Sequence, residues 1–76
     1  METAVFKKYE NGYYTFLFKN EENMVFEEVN PRVLNQFDLK NDKSFVNQKF
    51  KLSFVEAFDD EDEDFIIYRI ESLQKI

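Results

Sequence analysis

The residues with the clearest chemical potential are six consecutive acids, which begin at Asp59 and end at Asp64. Several carboxylate oxygens in one place suit Ca²⁺, but the EF-hand loop also needs a Gly at its sharp turn and a Glu at its twelfth position. This stretch lacks the Gly. We therefore expect a solvated hairpin loop that protects two apolar strands from aggregation. Ca²⁺ binding over residues 59–64 is expected to be weak if it occurs.

The remaining side chains do not form a catalytic set. The chain has no His and no Cys, which removes the usual general base near neutral pH, the commonest metal ligand and all thiolate chemistry. Ser44, Ser53 and Ser72 are isolated, and no Gly-rich phosphate loop is present. We therefore predict a protein that is not an enzyme, with no catalytic residue, no cofactor and no dedicated metal site.

Lysines interleaved with aromatic residues indicate an alternative function, the binding of single-stranded nucleic acid. The candidates for such a site are Lys7, Lys8, Tyr13 and Lys49. In the OB-fold, the loops after the first and fourth strands frame the ligand groove. Here the first is the two-residue turn Asn11-Gly12 and the second is the acidic run, which would repel phosphate. Nucleic acid is therefore the second choice of partner.

The elements that position these residues are mostly strands. Asn11-Gly12 between two aromatic-rich runs predicts a tight hairpin. Asn30 and Pro31 predict a helix start, and the spacing of the apolar residues predicts the only helix over residues 30–39. The order β-β-β-α-β-β over residues 1–76 predicts a single all-β domain, a five-stranded OB-like barrel with one short helix. An SH3-like barrel and an open curled sheet with a packed helix are the alternatives.

The pattern also predicts how strands pair. A two-residue hairpin loop places Tyr9 opposite Tyr14, Val5 opposite Phe18 and Phe6 opposite Leu17. The predicted core residues of this hairpin are Val5, Tyr14, Phe16 and Phe18. In the last hairpin a simple register would place Phe54 opposite Arg69 and Leu52 opposite Glu71. We therefore predict a β-bulge over residues 54–56, since one extra residue exchanges the two faces of a strand.

Residues 30–54, about a third of the chain, carry a resemblance to other proteins. The features are a strand that ends at Val29-Asn30-Pro31, a short helix with Val33-Leu34, then Phe37-Asp38-Leu39, a polar connector, and Lys49-Phe50-Lys51-Leu52 opening a long strand. In these features the chain resembles small uncharacterised bacterial proteins with OB-fold-like strand order. The resemblance implies the fold and imports no activity.

The preferred function is that of a binding or interaction module with a protein partner or a second copy. The chain carries ten Phe and four Tyr, which either fill the core and the barrel ends or leave some aromatic residues in an exposed patch, and such a patch marks an interface. The predicted surface is the sheet face with Phe6, Tyr13, Leu17 and Phe26. The acidic loop could also occupy a basic partner. With no signal-peptide pattern and no apolar run of ~20 residues, a cytoplasmic protein that does not bind membranes is expected.

Overall fold

The computed structural model describes residues 1–59 and 62–76, with side chains outside residues 59–64. Strands dominate, and a single α-helix and one 3₁₀ turn lie in the middle of the chain. The elements are β1 (Glu2–Glu10), β2 (Tyr13–Phe18), β3 (Asn23–Phe26), β4 (Glu28–Val29), α1 (Pro31–Gln36), the 3₁₀ turn (Lys43–Phe45), β5 (Lys49–Asp59) and β6 (Asp62–Lys75). The prediction of a β protein with one short helix is confirmed. Neither described helix is long and apolar enough to cross a membrane.

The strands form one six-stranded mixed sheet in the order β3-β2-β1-β5-β6-β4. The sheet is open rather than a closed five-stranded barrel, and among the described strand pairs only β4–β6 is parallel. The sixth strand arises because the predicted third strand is interrupted at Glu27. The residues before Glu27 pair with β2, and the two residues after it pair with β6 at the other end of the sheet.

The first hairpin turns at Asn11-Gly12, as predicted, with positive φ at both residues (54° and 87°). Tyr9 pairs with Tyr14 as expected. The predicted register also holds at Lys8, which pairs with Thr15, and is wrong from Phe6 onward, because a bulge between Phe6 and Lys8 exchanges the faces of β1. Phe6 consequently pairs with Phe16, and Val5 pairs with Leu17.

Helix α1 begins where the sequence predicts. The side chain of Asn30 accepts a hydrogen bond from the Arg32 N–H at 3.0 Å, and Pro31 is the first helical residue. The helix ends at Gln36, three residues before the predicted end. The following segment instead directs Phe37 toward the core, where its ring lies 5.6 Å from Phe45 and 5.5 Å from Phe50.

Strands β5 and β6 form the longest hairpin, and a register shift brings their apolar residues to the same face. Leu52 pairs with Leu73 and Phe54 pairs with Ile70, so the unfavourable pairings of a simple register are avoided. The shift lies between Ser53 and Phe54, at the start of the predicted position. The extra residue, however, is Glu71 on β6, whereas the prediction placed it on β5.

The core is built largely from aromatic rings around Phe16. Its ring centroid lies 5.2 Å from Phe6, 5.8 Å from Phe26 and 6.4 Å from Phe50, mostly in tilted or edge-on contacts. Such arrangements are favourable for the ring quadrupole. Of the predicted core residues, Tyr14 and Phe16 are buried, while Val5 and Phe18 are half-buried. The bulge in β1 places Phe6 in the core in place of Val5.

Candidate functional site

The β5–β6 hairpin extends past the strands that flank it. Strand β1 pairs with β5 only over residues 49–52, and β4 pairs with β6 only at Arg69 and Ile70. Within the part of the chain that the structure describes, β5 therefore has no second strand partner over residues 54–58, and β6 has none over residues 66–68. We call residues 54–58 and 65–68 the hairpin arms. Their outer parts lie beyond the core.

Large apolar side chains are exposed on these arms. Phe58 is 68% exposed, Phe65 63% and Ile66 49%. Phe58 and Ile66 are direct cross-strand partners, so their side chains lie on the same face of the hairpin. Val55 on the same hairpin is 41% exposed. Solvent-facing Phe and Ile residues grouped in this way are typical of a protein-binding surface.

A groove of about 530 Å³ lies beside the arms. Its opposite wall is the β1–β2 turn with Asn11, Gly12 and Tyr13, so this two-residue turn does contribute to a groove despite its shortness. Tyr13 is itself 47% exposed. The described residues that line it are Asn11, Gly12, Tyr13, Glu27, Glu28, Ala57, Phe58, Phe65, Ile66, Ile67 and Arg69.

The charged residues of the groove are partly paired with one another. The Glu27 carboxylate accepts a hydrogen bond from the Tyr68 N–H at 2.8 Å. Arg69 lies 3.6 Å from the Glu28 carboxylate and 2.6 Å from that of Glu71. The hydrogen bond to Glu71, more than the neighbouring charges, raises the pKa of Arg69 and lowers that of Glu71. Arg69 is thus engaged by two carboxylates of its own chain.

The hairpin has a strongly one-sided charge by sequence. From Leu52 to Tyr68 the chain contains Glu56 and the six consecutive acids, which makes seven acidic residues, and no Lys or Arg. The exposed apolar residues Phe58 and Phe65 directly flank the six acids. The exposed apolar residues are therefore adjacent in sequence to a high density of negative charge.

The predicted weak Ca²⁺ site over residues 59–64 lies outside the described side chains. Elsewhere, the described residues include no group of three or more acidic side chains that could hold a metal ion.

The structure does not bring the four predicted interface residues together. Phe6 and Phe26 are 1% and 0% exposed, so the prediction that they lie on a surface is wrong. The bulge near Lys7 directs Phe6 inward, and Phe26 pairs with the inward-facing Tyr14. Leu17 is half-buried and outside the groove lining. Tyr13 is the one predicted interface residue that lines the groove.

The predicted nucleic-acid residues have other neighbours. Lys7 donates a hydrogen bond to the Asn47 side chain at 2.8 Å, and Lys8 forms a 3.1 Å ion pair with Glu10. Lys49 is exposed and pairs with Val5 in the sheet. By strand alternation Lys8, Tyr13 and Lys49 share the outer face of the sheet. Tyr13 is the only aromatic residue of β1, β2 and β3 on that face.

Sequence reasoning missed Phe58, Phe65 and Ile66. The signal that could have identified them is their position at the end of a long hairpin, immediately beside an acidic run. Residues there lie beyond the reach of a core formed by shorter strands.

No protein-family model, curated protein or solved structure matches the chain.

Proposed function

We propose that this protein is a small, non-catalytic binding module that docks another protein through the β5–β6 hairpin arms. The observation that carries the proposal is the cross-strand pair of Phe58 and Ile66, 68% and 49% exposed, on a hairpin that extends beyond the core, with the exposed Phe65 lining the same groove. Aromatic residues concentrated in one patch are the usual energetic centre of a protein interface.

The energy available from this patch is appropriate for a specific interface. Complete burial of a Phe or Ile side chain is worth about 1.5–3 kcal/mol. Because roughly half to two-thirds of each side chain is exposed, a partner that covered one of them would gain about 1–2 kcal/mol per residue. Three such residues together supply about 3–6 kcal/mol, a substantial share of a micromolar affinity of about 8 kcal/mol.

We also propose that the chain has the strand order of an OB-like barrel. Only Glu27 separates β3 from β4, so the two can be counted as one bent strand, which reduces the strands to five. Its two halves pair with β2 and with β6. The Glu27 N–H also donates to the Tyr68 carbonyl at 3.2 Å. The resemblance to small uncharacterised bacterial proteins with this strand order also stays a prediction.

Single-stranded nucleic acid remains the competing partner. Non-specific single-strand binding combines a positive groove with several aromatic stacking platforms. The outer face of β1, β2 and β5 offers Lys8 and Lys49 but only Tyr13 for stacking. Lys8 is also paired with Glu10. These features favour a protein partner.

The test is capture of binding partners by the tagged protein from a lysate of the cells that make it, with and without nuclease. The double variant Phe58→Ser/Ile66→Ser is compared with Val25→Ser, a matched control because Val25 is 43% exposed on β3. We expect a nuclease-resistant protein that is lost with the double variant and retained with Val25→Ser. Recovery of nucleic acid alone would overturn the proposal, as would equal capture by all three proteins. Concentration-dependent self-association that requires Phe58 would identify the partner as a second copy.

A further inference from the structure

The edge of β6 beside the groove continues past its last strand partner. The pairing of β4 with β6 ends at Arg69. At the next residue, the Tyr68 carbonyl accepts a hydrogen bond from the Glu27 N–H, and the Tyr68 N–H donates one to the Glu27 carboxylate. Alternate residues of a strand direct their N–H and C=O groups to the same edge. The carbonyls of Tyr68 and Ile70 both accept hydrogen bonds at this edge. Because Ile66 lies two residues before Tyr68, its N–H and C=O groups point to the same edge.

Ile66 lies on the groove, and across the described chain no strand pairs with it on this side. The site therefore offers a strand edge and apolar side chains in one place. Added strands use such an edge for main-chain hydrogen bonds and gain specificity from alternate side chains. Phe58 and Ile66 would contact the side chains of one face of an added strand.

The negative charge of the hairpin and the groove indicates which kind of segment would bind at this edge. The hairpin carries seven acids and no base between Leu52 and Tyr68, and Glu27 and Glu28 also line the groove. Among the described residues that line the groove, Arg69 is the only cation, and it already contacts the carboxylates of Glu28 and Glu71. A segment with Lys or Arg at alternate positions would be attracted, and a second copy of this acidic hairpin would be repelled.

We propose that the edge of β6 at Ile66 receives an extended, basic segment of a partner protein, whose apolar residues pack on Phe58 and Ile66 and whose Lys or Arg residues are attracted by the net negative charge of the groove and of the hairpin sequence. This inference rests on the proposed function and adds the chemistry of the partner and its mode of binding. The added strand would lie on the same edge of β6 as β4, beyond the two residues that β4 pairs with.

The test uses four synthetic peptides and the intact protein. The first alternates Lys with Val, the second replaces each Lys by Glu, the third carries N-methyl groups on the backbone of every second residue, and the fourth is poly-lysine. The N-methyl peptide keeps the charge and side chains of the first but loses one row of hydrogen-bond donors. Binding is measured by fluorescence anisotropy, and amide exchange is followed at Ile66.

We expect only the Lys-Val peptide to bind well and to slow exchange of the Ile66 amide. Loss of two hydrogen bonds should weaken the N-methyl peptide by about tenfold. Phe58→Ser should weaken the Lys-Val peptide, and Val25→Ser should not. Affinity should fall as salt rises from about 0.05 M to about 0.5 M, because that range shortens the screening length severalfold.

Equal binding of the Lys-Val and N-methyl peptides would overturn strand addition, and equal binding of the Lys-Val and Glu peptides would overturn the role of charge. No binding of the Lys-Val peptide at millimolar concentration would overturn the inference as a whole. None of these results tests the proposed function, which the capture of partners from a lysate tests separately. Association of two copies through Phe58 would replace the basic partner by a second copy.

Discussion

Phe16 is one of the most deeply buried residues of the core. It is fully buried and its ring contacts Phe6, Phe26 and Phe50. Phe16→Ala should lower the free energy of unfolding by about 3–5 kcal/mol, through lost transfer energy and a cavity. Small domains have a total stability of about 5–15 kcal/mol, so this variant should be close to unfolding. Urea denaturation measures the change.

Phe58→Ala is the matched control for that experiment. Phe58 is 68% exposed, so its truncation should change stability by no more than about 0.5 kcal/mol. A similar loss from both variants would mean that Phe58 belongs to the core rather than to a binding surface.

Tyr14 makes the stability of the protein sensitive to alkaline pH. Burial, with smaller contributions from Tyr9 and Asp38, raises the pKa of Tyr14 to about 12 from 10.0. Between these two values the unfolded chain loses the phenolic proton while the folded chain keeps it. Stability should therefore be complete below about pH 10 and should fall as the pH rises toward about 12.

Tyr14→Phe should remove this part of the pH dependence, because it removes the titrating group and keeps the ring. Tyr13→Phe is the control, since Tyr13 is exposed. Urea midpoints across this pH range for the three proteins measure the effect. Parallel curves for the wild type and Tyr14→Phe would show that Tyr14 ionises with the same ease in both states.

At the scale of elements, Glu27 joins the two ends of the sheet. It interrupts the strand formed by β3 and β4, and its backbone and carboxylate both bond to Tyr68. Glu27→Ala should speed exchange of the Tyr68 amide and leave that of buried Phe16 unchanged. Glu27→Gln should largely preserve protection, because its side-chain oxygen still accepts a hydrogen bond. Hydrogen exchange followed by NMR distinguishes the three proteins.

An unchanged exchange rate at Tyr68 in Glu27→Ala would contradict the role of this carboxylate at the strand edge. It would also weaken the proposal of OB-like strand order, which rests on the same junction.

Local signals in the sequence predicted the parts of the fold that local chemistry determines. Asn11-Gly12 gave the hairpin turn because positive φ is required there. Asn30 and Pro31 gave the helix start through capping. The shift near Phe54 followed from the need to avoid pairing Phe54 with Arg69.

The bulge near Lys7 could not be predicted in the same way, because either face of β1 carries apolar residues and only packing against β5 selects one. Tyr13 was the part of the site that could be predicted. The hairpin arms depend on the relative lengths of β1, β4, β5 and β6, which is a property of the assembled sheet.

At the scale of the whole molecule, the charge is concentrated rather than spread. The net charge of −6 equals the charge of the six consecutive acids, so the rest of the chain carries ten acids and ten bases. In the sequence these six acids directly follow Phe58 and directly precede Phe65, which are both exposed. A basic protein partner should therefore be attracted at low salt and held by apolar contact after docking.

The most direct test of this account measures the dissociation constant of the captured partner for the wild type, Phe58→Ala and Val25→Ala. We predict about a tenfold weaker complex for Phe58→Ala, which corresponds to the loss of about 1–2 kcal/mol of burial. Val25→Ala should bind like the wild type. Equal affinity of Phe58→Ala and the wild type, or a loss confined to Val25→Ala, would contradict the central claim that the hairpin arms are the docking surface.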